Sequence, residues 1–449
     1  MPDKNMPGLT LKLAGHIATY RDGTLDPAAL TVAKQCVLDW FGVTLAGLDE
    51  PVARILRDEI STNDSGRSSI VGFAQRTTPA DAALINGATS HALDYDDVHP
   101  WIGHPTIAIL PAALAVGEAE GRSGMDVLRA FVAGYEAAGF IGSMAMRSHY
   151  GRGFHSTGTL GSFGAAAAAA LLLNLDVTQT ATALGLAGTQ AAGLKSMFGT
   201  MAKPFHAGRA AANGVLAARL AARGFTANTG VLEVAQGFMA TQSDVTQSDL
   251  EHDAPLPRLG SIVVNTLFKY HAACYLTHST IEAVRTLREQ LKFSGPDIAA
   301  IDVHVPAGHL SVCNIPSPQT GLEIKFSLRH TAALAACGRD TAAIGTYSDD
   351  VAVDPTLVAI RSRVTVHGDR PHGHDAHVAI TTQDGKAAQL DFNVGIPDRD
   401  LARQGDRLTR KFHSLAVPVI GEEQAGRLQR DIAALETLPD IGAIMGVRV

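Results

Sequence analysis

The chain is short of charge. Of its 449 residues only 18% are Asp, Glu, Lys or Arg, while 46% are hydrophobic; a charged share of roughly a quarter is usual. So apolar a composition excludes a disordered chain and supplies a large core. It also predicts that part of the surface is covered by a second copy of the chain. The net charge is −7 and no basic stripe interrupts it, which argues against nucleic acid as a ligand. Cysteine is scarce too. Cys36, Cys274, Cys313 and Cys337 show no CxxC spacing, so neither a disulfide framework nor a thiolate metal site is expected. Long apolar runs are missing: Gly164 to Leu173 is mostly alanine and far below the roughly 20 residues of a membrane span. The amino terminus, Met1 to Leu11, lacks the basic-then-apolar order of a signal peptide. Together these absences predict a soluble, cytoplasmic protein.

What is present is helix. Asp26-Pro27 opens one with a capping carboxylate and a first-turn proline, and Ala28 to Leu45 continues it at three- and four-residue apolar spacing. Residues 80–91, 111–120, 124–145, 158–174, 177–193 and 207–223 read the same way, with Asp176 as a cap and Gly224 as a stop. Alanine and glycine dominate, which predicts closely approaching helices. The period then changes to two at 301–305 and 362–366, and 377–382 and 386–394 flank the hairpin signal Asp384-Gly385. Helices are expected beside these strands at 277–290 and 325–337, and again at 401–415 and 422–435. The fold class is therefore mainly α: a large all-helical domain in two pieces, 1–262 and 397–449, with a smaller α+β domain, 263–396, inserted between them.

The densest chemistry lies in Asn86-Gly87-Ala88-Thr89-Ser90-His91-Ala92-Leu93-Asp94-Tyr95-Asp96-Asp97-Val98-His99, followed by Gly103-His104-Pro105-Thr106. Three imidazoles and three carboxylates fall between His91 and His104, and Asp94 stands three residues after His91, on one helical face. Solvated acids at a capped helix end would be the plain explanation, above all for Asp96 and Asp97 taken singly. An acid/base site and an oxygen-rich metal site are the alternatives. The second segment, Gly151-Arg152-Gly153-Phe154-His155-Ser156-Thr157, opens the alanine-rich helix, where glycines and a helix amino terminus suit an anion. In the third, Met201-Ala202-Lys203-Pro204-Phe205-His206, a lysine enters a small-residue helix. It could meet a substrate carboxylate or lie on the surface. The fourth is Phe268-Lys269-Tyr270-His271, with Cys274 and His278 continuing down one helical face. His372, His374 and His377 are expected on an exposed turn.

Taken together these segments resemble the MmgE/PrpD family over nearly the whole chain. The resemblance is carried by NGATSHALDYDDVH…GHPT, PAALAVGEAEGRSG, GYEAAG, GFHSTGTLGSFGAAAAAALLL, AKPFHAGRAAANGVLAARLAARGFT, FKYHAACYLTHS and IKFSLRH. It implies a helical domain with an α+β lid, a homodimer built through the helical domains, and small di- or tricarboxylate substrates handled without metal or organic cofactor. Members of the family include 2-methylcitrate dehydratase, cis-aconitate decarboxylase and iminodisuccinate epimerase. Carried over by motif, the site residues are Asp94, His104, His155, Lys203 and Lys269, in the cleft between the domains, with Arg152 and His271 as further substrate contacts.

Each of these reactions makes or quenches a carbanion beside a carboxylate, so each needs acid/base groups and cations. His155 and His104 suit the first need, and Lys203 and Lys269 the second. Asp94 would orient a histidine or hold a lysine charged. Two positions depart from the family. Val98 stands where threonine is frequent, and His330 where tyrosine is usual. Loss of both hydroxyls disfavours elimination of hydroxide and the decarboxylase pocket, yet leaves proton exchange at carbon intact. The expectation is accordingly an epimerase of an iminodisuccinate-like acid, with His330 as an acid/base group facing the substrate. A methylcitrate dehydratase-like hydro-lyase is the alternative, a decarboxylase ranks below it, and a non-catalytic helical scaffold is the reading from another class.

Overall fold

The structure is a computed structural model describing residues 8–60, 66–251 and 255–449. The first seven residues of the stretch read for a targeting signal lie outside the described residues. The chain forms two compact units. One comprises Met1–Thr266 and Asp400–Val449, the other Leu267–Arg399. The junctions thus fall a few residues beyond the 262/263 and 396/397 read from the sequence.

The first unit is helical. Its amino-terminal piece holds α1 (Leu9–Thr19), α2 (Pro27–Ala46), α3 (Pro51–Glu59), the two-residue strands β1 (Ser68–Ser69) and β2 (Arg76–Thr77), and α4 (Pro79–Ser90). There follow α5 (Thr106–Ala119), α6 (Gly124–Gly151), α7 (Ser156–Leu172), α8 (Val177–Gly188) and α9 (Ala202–Ala222). The local signals act as their chemistry requires. The Asp26 carboxylate accepts from the Ala28 N–H at 2.8 Å, Asp176 and Gln179 cap α8 reciprocally, and Gly224 stops α9 at φ +82°. Small residues let helices touch backbone to backbone. A Cβ on Gly87 of α4 would lie 2.9 Å from the Gly208 Cα of α9, and one on Gly134 of α6 would lie 2.4 Å from the Gly164 carbonyl of α7. Alanine at these crossings would force the helices apart. Every residue of α7 is buried, so this helix is the axis of the unit. No helix among the described residues is long and apolar enough to cross a membrane.

The second unit is built on α10 (His278–Leu291), β3 (Ile298–Pro306), α11 (Leu328–Ala336), α12 (Pro355–Arg361), β4 (Val364–Arg370), β5 (Asp375–Thr382) and β6 (Ala387–Asn393). Its sheet runs β4-β3-β5-β6. The β3–β4 pair is parallel, so the chain must cross over between them, and it does so through α11 and α12. The other pairs are antiparallel, and Gly385 turns the hairpin at φ +85°. Two expectations need correcting here. The helix expected over 325–337 starts three residues later, because the Ser327 hydroxyl accepts from the His330 N–H at 3.2 Å and caps a helix that begins at Leu328. The face expected to run from Lys269 through His278 is not helical, since α10 begins only at His278.

The chain returns to the first unit as α13 (Leu401–Ala433), one element where two were expected. Gly421, at φ +76° and ψ +161°, breaks it internally, three residues after Pro418.

Candidate active site

The site grows from the end of α4. The helix stops at Ser90, His91 is its carboxyl-terminal cap, and Asp94 has a left-handed backbone at φ +50°. Such a conformation is strained for a residue with a Cβ. It overturns the expectation that Asp94 shares a helical face with His91. The Asp94 carboxylate meets the Lys203 Nζ at 2.9 Å and the His104 Nε2 at 3.6 Å instead. His91 pairs with Asp96: its Nδ1 lies 2.7 Å from one carboxylate oxygen, and the His104 Nδ1 lies 2.7 Å from the other. Lys203 with Asp94, and His104 with Asp96 and His91, are therefore two bonded groups that approach to 3.6 Å between the Asp94 carboxylate and the His104 Nε2.

Asp96 is the pivot. It is 1% exposed. Burial alone would raise its pKa, but the two imidazoles and their hydrogen bonds prevail and hold it well below the usual carboxylate range. An ionised carboxylate only accepts hydrogen bonds, so both rings present Nδ1–H to it. For His104, burial prevails over Asp96 and lowers the pKa to about 4. The ring is an uncharged base at neutral pH.

The surroundings hold this loop in place. Gly103 has φ +93°, and a Cβ there would lie 2.7 Å from the Thr157 hydroxyl. Only glycine lets the chain pass so close, and the next residue's N–H, that of His104, donates to the same hydroxyl at 3.0 Å. Asp97 points the other way. It accepts from the Thr106 hydroxyl, and burial raises its pKa to about 7. From α13, the Lys411 Nζ donates to the Tyr95 carbonyl at 2.7 Å and pairs with Asp39 of α2 at 2.6 Å, all fully buried.

The facing wall comes from α7 and α9. His155 caps the amino end of α7, and its ring stacks 6.4 Å from that of His91. Its Nδ1 lies 3.0 Å from the Nδ1 of His206. One of these nitrogens must carry a hydrogen and the other a lone pair. His155 is 2% exposed, and burial, reinforced by His91, His104, Lys203 and His206, lowers its pKa to about 2. His206 is only half-buried and joins this ring to solvent. The pair fits because residue 193 is glycine, at φ +145°, with the His155 Cβ and His206 Nδ1 each 3.3 Å from where its Cβ would stand. Phe198 closes over His155, ring centroids 5.0 Å apart.

Among the described residues, one group of ligand-type side chains converges as a metal site would: His91, Asp94, Asp96 and His104, with atoms within 4.8 Å of one another. The donor set is already committed. Both oxygens of Asp96 hold imidazole N–H groups, and an ammonium, itself a cation, sits on Asp94. The arrangement fits an acid/base relay better than a divalent ion.

The remaining sequence candidates stand on other elements. Arg152 ends α6 and pairs with exposed Asp244, outside the His–Asp–Lys cluster. Within the second unit, Lys269 is buried beside His278. His271 engages Thr341 through Nδ1 and Glu282 through Nε2, both at 2.7 Å. His330 is 0% exposed on α11 with the Arg361 guanidinium 3.3 Å from its Nδ1; burial first, then that cation, lowers its pKa to about 4. His377 lies on β5 and pairs with Asp391, whereas His372 and His374 precede the strand. Three participants were quoted in the segments but not chosen among the site residues: His91, Asp96 and His206. The spacing of His206, three residues after Lys203 in one helix, was the available signal for the last.

Buried imidazoles, a shared carboxylate and a lysine on a helical scaffold define a candidate acid–base site for an anionic ligand. Comparison with known proteins gives it a family. Residues 11–251 match the MmgE/PrpD N-terminal domain and residues 271–437 the MmgE/PrpD C-terminal domain. The chain belongs to the MmgE/PrpD family. It is 26% identical to the cis-aconitate decarboxylase of Mus musculus over 98% of this chain and 93% of that protein. To the cis-aconitate decarboxylase of Homo sapiens it is 29% identical, over 73% and 70%. To the mitochondrial 2-methylcitrate dehydratase of Yarrowia lipolytica it is 25% identical, over 97% and 88%.

Proposed function

We propose that the protein is a lyase of small tricarboxylates, breaking a carbon–carbon or carbon–oxygen bond beside a carboxylate. The observation that carries this reading is the polar cluster from Lys203 to His91, set against the uncharged ring of His155. Lys203 spends one of its three N–H donors on Asp94 and keeps two for a substrate carboxylate. His104, held by Asp96 with its Nε2 lone pair outward, accepts a proton. His155 alternates: when its Nδ1 accepts from His206 it offers Nε2–H as an acid, and when its Nδ1 donates, the Nε2 is a base.

Decarboxylation of a cis-aconitate-like acid is the first choice, because relatives so named match the chain nearly end to end. There the C–C bond to the leaving carboxylate breaks, its electrons pass to the allylic carbon, and an imidazole N–H protonates that carbon as carbon dioxide departs. Dehydration of a 2-methylcitrate-like acid comes second and uses the same groups differently. One imidazole removes the C–H proton while the other protonates the departing hydroxyl. Epimerisation of an iminodisuccinate-like acid loses its main support. It rested on the hydroxyls missing at Val98 and His330, with His330 as a substrate-facing acid/base group, and that ring is wholly buried with a guanidinium beside it.

The test is proton NMR in deuterium oxide with cis-aconitate, 2-methylcitrate and iminodisuccinate in separate tubes. Carbon dioxide release with deuterium in the product supports the decarboxylase. Replacement of the 2-methylcitrate methyl doublet by an allylic methyl singlet marks the hydro-lyase, and exchange without net conversion restores the epimerase. No turnover of any of them returns the scaffold reading. Lys203→Ala should raise KM by about tenfold or more, having lost a charge-assisted carboxylate contact.

A further inference from the structure

At the other end of α7 from His155, the first unit carries a cavity of about 30 Å³ lined by Arg21, Arg122, Arg129, Asp126, Leu172 and Asn174 among others. Three guanidinium groups converge there, and they are poorly supplied with partners. The Nε atoms of Arg21, Arg122 and Arg129 are all buried without a hydrogen bond. Arg21 donates to the Leu175 carbonyl at 2.9 Å and Arg129 to the Arg21 carbonyl at 3.2 Å. The Arg122 side chain makes no hydrogen bond, and no carboxylate forms an ion pair with any of the three among the described residues. The nearby acid, Asp126, is occupied in capping α6, where one oxygen accepts from the Ser123 N–H and hydroxyl.

The charge balance can be estimated. Three arginines bring +3, Asp126 −1, and the carboxyl end of α7 about −0.5. About +1.5 is left uncompensated at a partly enclosed site, an arrangement that costs free energy unless an anion completes it. The planar forks of arginine suit an oxyanion above other anions. The volume admits about two or three water-sized groups, enough for a compact tetrahedral anion and too little for a large metabolite. With 17 residues, α7 spans about 25 Å, so this cavity is separate from the histidine site at the other end of the helix.

We propose that Arg21, Arg122 and Arg129 form a binding site for a phosphate group, supplied either by inorganic phosphate or by a small phosphomonoester. The proposal does not depend on the lyase reading.

The test is isothermal titration and thermal melting of the full chain in phosphate-free buffer at fixed ionic strength, with inorganic phosphate as the probe and glycerol phosphate in a second arm. Saturable binding of one phosphate per chain and a raised Tm are expected. Arg122→Gln and Arg129→Gln should each weaken binding by about tenfold or more, and Lys203→Gln should leave it unchanged. Tighter binding of glycerol phosphate than of phosphate would identify the monoester as the source, and the reverse the free ion. Without phosphate, Arg122→Gln should melt no lower than the wild type, because it removes repulsion and no hydrogen bond. That readout separates loss of a site from loss of the fold. Absence of saturable binding in the wild type, or binding abolished by Lys203→Gln and retained in Arg122→Gln, overturns the proposal.

Discussion

Asp96 is a single carboxylate that decides the state of two rings. Asp96→Asn keeps the shape but turns one oxygen into an N–H donor, which then faces an imidazole N–H. One of the two rings must flip its tautomer or turn away. Turnover should fall by about 10²-fold or more while the melting curve stays cooperative; activity within a few-fold of wild type would assign Asp96 to structure alone. The depressed pKa values of His104 and His155 lead to a second expectation. Both rings stay uncharged well below an ordinary histidine's 6.5, so the acid limb of the kcat/KM profile should lie below about pH 5. A limb near 6.5 would mean that neither ring is the base. At this scale the sequence was partly legible. The crowd of Asp and His between 91 and 104 was visible, as was the neighbourhood of Lys203. Its wiring was not, because the wiring depends on the positive φ of Asp94. That angle sends Asp94 to α9 and leaves the less conspicuous Asp96 between the rings.

Among the elements, the bond from α13 to the loop after α4 matters most. Lys411→Met removes the ammonium from both Asp39 and the Tyr95 carbonyl, breaking a buried ion pair. A loss of about 3–5 kcal/mol is expected in denaturant unfolding. Adding Asp39→Asn should recover part of it, and the single variant should also lose activity as the loop carrying Asp94 and Asp96 slackens. A silent Lys411→Met would show that the loop is held by other means. Elements with strong local signals could be read directly: the caps of α2 and α8, the stop at Gly224, the Asp384-Gly385 turn. The errors arose at helix starts. The Ser327 hydroxyl starts α11 inside an apolar pattern, and α10 begins only at His278, with no side-chain cap, although the preceding residues have helical spacing. Neither effect has a period to detect.

For the whole molecule, the buried titratable groups set stability against pH in two opposing ways. His99, His104 and His330 have folded pKa values of about 4, and His155 of about 2. As pH falls below about 6.5 the unfolded chain takes up protons that the native state refuses, so stability is lost on that side. Asp97 and Glu136 are raised by burial to about 7 and about 8. Above about pH 4 the unfolded chain releases their protons while the native state keeps them, so their contribution is lost as pH rises towards those values. The Tm should therefore peak at about pH 6.5–7, and Asp97→Asn should flatten the alkaline side; a Tm rising steadily to pH 9 would contradict the assignment.

The Lys411–Tyr95 bond has a temporal meaning as well. Its partners stand 316 residues apart, with the entire second unit encoded between them. At about 5–20 residues per second, a ribosome that has just made the loop needs about 16–60 s to reach the lysine that fastens it. The amino-terminal helices emerge first yet finish last. A nascent chain carrying every histidine of the site still lacks the strut that sets their geometry, so catalytic competence begins only once translation has passed α13.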